Sequence, residues 1–360
     1  MGKKSTNLAA SKKTITDTAL LLTITIVTFV IMYLVAIFGL GGGFKTFQAF
    51  FDLLNDKSAL LIVSCGLSIV MITGGIDISV GSVVGLSGII SVGGVIALVG
   101  MCCVIFMRDF GGSPFTALFV ALAVGAAFGI VQGFLVAYLE IQPFIVTLAG
   151  MFFARGMTQI ISSDHLNVEG NEAFDKILHA KIVIPGLGYV NNNDIYINAY
   201  IKIGVIVALV LVFVLFFMLQ RTKLGRAFYA VGGNQQSALM LGINVKRTKF
   251  LSHLICSLLA GIAGYVFFIT VGSGSGDNAM GYEMDAIASS IIGGTMLTGG
   301  VGNIIGTMFG VFSLSTIQKI VNAAGLGDPW WTGITRAAML CLFLVLQSII
   351  LIRKNKGVKA

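Results

Sequence analysis

Long uninterrupted apolar runs, rather than alternation, set the pattern of this chain. Broken by Pro, Gly and clusters of charge, they fall at residues 18–40, 58–73, 80–106, 114–138, 143–161, 199–220, 249–271, 285–297, 303–323 and 330–352. A helix needs about 20 predominantly apolar residues to cross a bilayer. Strands of a water-filled barrel would alternate apolar and polar positions instead. The pattern therefore predicts an all-α polytopic membrane protein of about ten transmembrane helices. One run, 285–297, is short for a crossing and reads as half of a broken helix.

Composition agrees: 56% of the 360 residues are hydrophobic and 11% charged, with a mean hydropathy of +0.97. These values lie outside the range of water-soluble domains. Ten crossings of about 20 residues use some 200 positions, so 1–360 reads as one transmembrane domain with short connections. The stretch 18–40 is too long for the apolar core of a signal peptide and no small-residue cleavage pattern follows it. It reads as an uncleaved first span.

The formal charge of +8 raises the question of nucleic acid, and the placement of the bases answers it. Lys3, Lys4, Lys12 and Lys13 precede the first run, and Arg353, Lys354, Lys356 and Lys359 follow the last. Arg221, Lys223, Arg226, Lys246, Arg247 and Lys249 crowd a middle loop that contains no acid. The connection 162–198 instead carries Asp164, Glu169, Glu172, Asp175 and Asp194. Asp277, Glu283 and Asp285 stand together without a base. That asymmetry is positive-inside topology and not a nucleic-acid footprint. It predicts cytoplasmic tails at 1–17 and 353–360, a cytoplasmic loop at 221–248 and an extracytoplasmic loop at 162–198. The five cysteines sit in apolar runs, where a thiol acts as a small hydrophobe, and neither they nor the histidines have metal-ligand spacing.

The chain also repeats itself. Thr73-Gly74-Gly75-Ile76 is echoed by Thr298-Gly299-Gly300-Val301, Val80-Gly81-Ser82 by Ile305-Gly306-Thr307, and Gly85 by Gly310, at one offset of 225. Duplicated units are common in transporters, with the substrate site near mid-bilayer where the repeats meet. The span count makes the two copies run in the same direction. Gly125, Gly129 and Gly133, like Gly302, Gly306 and Gly310, recur every four residues, a spacing that lets helix backbones touch in lipid. Most of these glycines read as packing, and those beside the duplicated segments also as a moving seam.

Chemistry concentrates in Gly74-Gly75-Ile76-Asp77-Ile78-Ser79-Val80-Gly81-Ser82. A charge at mid-bilayer costs about 3 kcal/mol on insertion scales, and irregular backbone at depth must be buried or line a cavity. Asp77 either holds a polar substrate, caps the helix that follows, or does both. Asp77, Ser79 and Ser82, with Thr298, Asn303 and Thr307 of the second copy, form the candidate substrate pathway. Arg155 can pair with a carboxylate or snorkel outward, and snorkelling is the favoured reading. Trp330 and Trp331 read as an interfacial anchor, with sugar stacking as the alternative. The 162–198 loop reads equally as a docking surface offering Glu169, Glu172 and Asp175 or as a solvated connector. No G-x-x-x-x-G-K-[ST] phosphate cradle exists, so energy for transport would come from another chain.

The segment Gly74 to Ser82 resembles the glycine-Asp-Ser signature of the permease subunits of bacterial ATP-driven monosaccharide importers, the ribose, xylose and galactose type. Three further stretches agree in order. Gly225-Arg226-Ala227-Phe228-Tyr229-Ala230-Val231-Gly232-Gly233-Asn234, with Ala238 and Gly242-Ile243, is similar to the loop by which such permeases dock on their ATPase. Gln142 to Met151 is similar to their fifth span, and Asp285 to Thr295 to their second-half repeat. Met151 to Gly156 and Trp330-Trp331 are most similar to galactofuranose permeases. Lys319 and Arg336 depart from the neutral residues expected there.

The resemblance implies a non-catalytic permease in the bacterial inner membrane, built on the type II importer fold. It implies an ATPase partner that binds ATP and magnesium, an extracytoplasmic sugar-binding protein, and a second permease copy or homologue. This chain itself would need no cofactor. It also implies an ATPase-coupling set of Gly225, Arg226, Gly232, Gly233, Asn234, Ala238, Gly242 and Ile243. An ion-coupled secondary transporter of a small polar solute is the rival, since it too uses repeats and broken helices. Its buried titratable candidates would be Asp77, Asp285, Lys319 and Arg336. A membrane enzyme is disfavoured, because no His, Cys or carboxylate cluster suggests catalysis.

Overall fold

The computed structural model describes residues 3–40, 44–74, 91–168, 171–190, 196–326 and 328–356. The chain order is α1 (Lys3–Leu40), α2 (Phe47–Ile72), α3 (Ser91–Asp109), α4 (Pro114–Ala137), α5 (Pro143–Ile161), β1 (Leu166–Asn167), α6 (Glu172–Leu178), β2 (Lys181–Val190), β3 (Tyr196–Lys202), α7 (Ile203–Arg221), α8 (Lys223–Gly233), α9 (Gln235–Met240), α10 (Val245–Val271), β4 (Ser273–Gly274), α11 (Tyr282–Ile292), α12 (Ile304–Ala323) and α13 (Pro329–Lys356). Helix dominates because lipid offers no partner for a free backbone N–H or C=O, and a helix satisfies its own.

Among the described residues eight helices, α1 to α5, α7, α10 and α12, are long and apolar enough to cross a membrane, and α13 adds the shorter apolar stretch Trp330–Val345. Helix starts follow local chemistry. Ser113 accepts from the Thr116 amide with Pro114 in the first turn of α4, and Asn244 accepts from Arg247 at the head of α10, as N-caps do. The helix carrying the first span begins at Lys3 rather than near residue 18. Strand β3 continues to Lys202, so the sixth span starts at Ile203 and not at 199. Of the third span, the described part is α3 from Ser91 onward; Asp77, Ser79, Ser82, Gly81 and Gly85 lie outside the described residues.

The short run is a half-helix. At 11 residues and 1.5 Å per residue, α11 is about 16 Å long, half the hydrocarbon thickness. It packs beside α2, which lies at the centre and is the most buried of the spanning helices. Around this pair the two copies interlock: α1 packs on α12, while α10 packs on α3. The Ser290 hydroxyl hydrogen-bonds the Ser64 carbonyl at 3.2 Å and Ser68 at 3.0 Å, and the Gly300 amide donates to the Ile72 carbonyl at 2.9 Å. Positions rise together along both segments, so the copies run in the same direction. The glycine stripes are contact surfaces: a Cβ at Gly125 would meet the Ser257 carbonyl on α10, and one at Gly306 the Gly293 carbonyl beyond α11.

The head of α11 is charged and buried. Glu283 receives Arg155 from α5 at 3.0 Å, and Arg155 also donates to the Gly276 carbonyl at 3.0 Å. Arg155 therefore does not snorkel; a buried carboxylate from another helix is a closer partner than the interface. Asp285 is approached by Arg336 of α13 at 2.7 Å, and Lys319 of α12 reaches Asp56 at 3.6 Å. The two cations that depart from the resemblance are thus the partners of carboxylates.

The connection after α5 is more ordered than a loop. β2 and β3 form an antiparallel hairpin whose register slips between Ile184 and Gly188, around Pro185, a residue that cannot donate to a ladder. Asn55 and Gln48 of α2 bind its backbone: the Lys202 amide donates to Asn55 at 2.8 Å and the Tyr200 amide to Gln48 at 2.9 Å. Phe174 of α6 stacks on Phe268 with ring centroids 4.9 Å apart, and β1 pairs with β4. Glu172 and Asp175 are exposed on α6, whereas Glu169 lies outside the described residues.

Candidate coupling junction

The middle loop expected at 221–248 folds into two helices. Thr222 ends α7 and caps α8, its hydroxyl accepting from the Gly225 amide at 3.2 Å. A Cβ at Gly225 would overlap the Leu219 backbone, so this corner closes only on glycine. Arg226 is exposed and donates to the Arg221 carbonyl at 3.4 Å. The α8 face made by Gly225, Phe228 and Val231 is buried.

The end of α8 meets both copies of the repeat. Tyr229 donates to the Gly302 carbonyl at 2.8 Å, and burial pushes its phenol up to about 12. At Gly232 a Cβ would overlap the Ile72 carbonyl and crowd the Gly300 amide; at Gly300 it would meet Gly233; at Gly299 it would meet Gly74. Gly74, Gly299 and Gly300 all have positive φ, 67°, 80° and 72°, the region glycine adopts without penalty. Backbones therefore touch directly where α8, the Thr73-Gly74 end of α2 and the Thr298-Gly299-Gly300 turn converge.

Asn234 leaves helical geometry, ends α8 and caps α9 through the Ser237 amide at 2.8 Å. Gly242, at φ 78°, stops α9, and the Ile243 amide closes back on the Ala238 carbonyl at 3.0 Å. Ala238 is buried with Val231 and Val245, with Ile243 packed against them. All eight residues of the expected coupling set thus belong to one docked helix-turn-helix unit. At its tip stand three residues that sequence reasoning passed over: Leu239, Met240 and Leu241 are 54%, 88% and 78% exposed. An apolar run inside a basic loop was the available signal.

Behind the unit lies a cavity of about 650 Å³ between α8–α9, the α4–α5 turn and the start of α10. Glu140, Gln142, Asn234, Lys249, His253 and Thr298 are among its lining residues. Of the described pathway candidates, only Thr298 reaches it. Asn303 is occupied as the cap of α12, accepting from the Ile305 amide at 2.9 Å. Thr307 is fully buried and 2.6 Å from the Ser68 hydroxyl, which makes both residues part of the repeat interface.

Residues 49–344 match the family model described as branched-chain amino acid transport system / permease component. The chain belongs to this permease family. It is 36% identical, over 91% of both chains, to the inner membrane ABC transporter permease protein YjfF of Escherichia coli. It is 34% identical to the fructose import permease protein FruG of Bifidobacterium longum, over 83% of this chain and 82% of that protein. To the ribose import permease protein RbsC of Escherichia coli it is 30% identical, over 86% and 88%. Comparison with the solved structures gave no match. The permease is therefore a multi-pass membrane protein and a transport subunit by family, in keeping with the fold.

Proposed function

We propose that this permease is the membrane subunit of an ATP-driven importer of a monosaccharide of the ribose, galactose or galactofuranose kind. It sits in a bacterial inner membrane with both termini in the cytoplasm, paired with itself or a homologous permease. Two ATPase subunits hold ATP and magnesium, and an extracytoplasmic binding protein delivers the sugar. Relatives named for fructose and ribose import support the substrate class, and the basic middle loop supports the orientation. The observation that carries the reading is the α8–α9 unit. A short helix pair with an exposed apolar tip (Leu239, Met240 and Leu241) and a glycine contact onto both repeat turns has the shape of a lever. A partner that grips the tip moves the backbone at Gly232, and through it the turns at Gly74 and Gly300.

In this mechanism ATP closes the ATPase dimer, α8 follows, and sugar passes between the two permeases. Each ligand must favour one conformation for the cycle to run in one direction. In this reading Thr298, Asp77, Ser79 and Ser82 are the residues that meet the sugar in transit, and Asn303 and Thr307 belong to the repeat interface. Uptake by vesicles holding the complete transporter tests the proposal. Replacement of the phosphate-binding lysine in the ATPase abolishes uptake and an ionophore does not; the opposite pair of results assigns the chain to ion-coupled transport.

A further inference from the structure

Four chain segments converge on the first turn of α11, and no part of the coupling junction uses them. Arg155 of α5 holds Glu283, and Arg336 of α13 approaches Asp285. Gln318 of α12 gives Asp285 a side-chain hydrogen bond. Lys57, where α2 leaves helical geometry at φ −117° and ψ 15°, lies 5.9 Å over the Tyr282 ring. Two of these ties bind α11 to helices that are otherwise peripheral: α5 packs mainly on α3 and α4, and α13 touches α11 and α12.

The opposite end of the same half-helix leads into the turn that α8 touches. Gly293 and Ser289 pack backbone-on-backbone against Gly306 and Gly310, so α11 and α12 move as one hairpin. Thr25 of α1 donates to the Ile292 carbonyl at 2.7 Å. The hairpin then reaches Gly299 and Gly300, against Gly74, Gly232 and Gly233.

The Arg336 contact has a peculiarity. Its 2.7 Å approach is one of charge, for neither Arg336 Nε nor Asp285 Oδ1 makes a hydrogen bond among the described residues. A buried ion pair without aligned hydrogen bonds recovers little of its desolvation cost. Its parting is tolerable only where water reaches a freed charge, and Arg336, whose side chain is 26% exposed, stands at that edge.

We propose that α11 is the transmission rod of the transporter, and that Arg155 and Arg336 are positioning residues that latch its outer end to α5 and α13. Motion of α8 enters at Gly299 and Gly300, shifts the α11–α12 hairpin, and loosens the latch on the side where sugar arrives. The inference rests on the reading of α8 as the lever. In the present structure the latch is closed, with Arg155 on Glu283 and Arg336 on Asp285.

The test uses the complete transporter of permease, ATPase and binding protein in vesicles. Arg336→Gln keeps the ATPase bound in the normal amount and keeps basal hydrolysis. Stimulation of hydrolysis by sugar-loaded binding protein falls about tenfold, within the range typical of coupling between sites. Exchange of the first pair, Arg155→Glu with Glu283→Arg, restores coupling that either change alone removes. As a second route, Asp285→Cys and Arg336→Cys are joined by a short bis-methanethiosulfonate linker, which forms a reducible disulfide with each thiol, in a chain whose native cysteines are replaced. The residual uptake of this double variant stops on linking and returns to its unlinked level on reduction. Full sugar-dependent stimulation in Arg336→Gln, or uptake unaffected by the linker, overturns the latch. Loss of ATPase binding on changing α9 is a separate result and speaks only to the lever.

Discussion

Gly299 lies against the Cα of Gly74, its counterpart 225 residues earlier (299 − 74 = 225), and the tail of α8 rests on the two together. Equivalent residues of a duplication meet at the axis relating the copies, so this contact marks where a displacement of α8 reaches both halves at once. Gly232 is the point of entry. Gly232→Val places its side chain on the Ile72 carbonyl, and overpacking of this kind costs about 1–3 kcal/mol. The expected outcome is a permease of normal helix content that still binds its ATPase but transports less than a tenth of the normal sugar. Normal uptake by this variant would remove the junction from the mechanism.

The tip of α9 makes the complementary prediction. Met240 and Leu241 stand clear of the rest of the chain, being 88% and 78% exposed. Met240→Asp with Leu241→Asp leaves thermal stability of the solubilised permease within about 0.5 kcal/mol, as surface changes do. Co-purification of the ATPase falls by more than tenfold, the size expected of interface anchors. Retained co-purification would place the docking surface elsewhere.

How much of this was legible beforehand depends on the range over which each feature is encoded. Crossings such as α4 and α5 are written locally, in apolar runs opened by Pro114 and Pro143, and the sequence marks their limits nearly to the residue. The break at Gly232-Gly233-Asn234 was equally local. The β2–β3 hairpin is not legible in the sequence, because Pro185, Gly186 and Gly188 interrupt its first strand and 199–202 continue into an apolar run that looks helical. Arg155 was expected to snorkel because a single helix shows no partner; Glu283 lies 128 positions away. Asn303 and Thr307 read as pathway residues from their place in the second copy of the repeat; the fold gives them a cap on the Ile305 amide and a contact with Ser68 at the repeat interface, and Ser68 is a partner that a single segment does not show.

Glycine placement gives a paired prediction about packing. Gly125 presses on Ser257 and Gly261 of α10, whereas a Cβ at Gly156 meets nothing within 4 Å. Gly125→Val therefore lowers the unfolding midpoint in detergent by the equivalent of about 1–3 kcal/mol. Gly156→Ala, in mid-helix and open space, raises it slightly, since alanine is favoured over glycine by up to about 1 kcal/mol. Equal effects at the two sites would contradict the α4–α10 contact.

Tyr229 supplies the pH dependence of the junction. Burial raises its phenol from the ordinary 10.0 to about 12, so the folded state holds the proton more tightly than the unfolded chain. The stability this contributes is fully present below pH 10 and is lost as the pH rises through about 12. Ionisation also removes the hydrogen that binds the Gly302 carbonyl at 2.8 Å, leaving an anion facing a carbonyl oxygen. Other tyrosines of the chain titrate in the same range, so the informative quantity is a difference: the melting temperature of the native chain minus that of Tyr229→Phe, followed from pH 8 to pH 12. It starts positive by the worth of one hydrogen bond, about 1 kcal/mol, and falls toward zero or below above pH 10. A difference that stays constant over that interval would mean that the folded chain holds the Tyr229 proton no more tightly than the unfolded chain does.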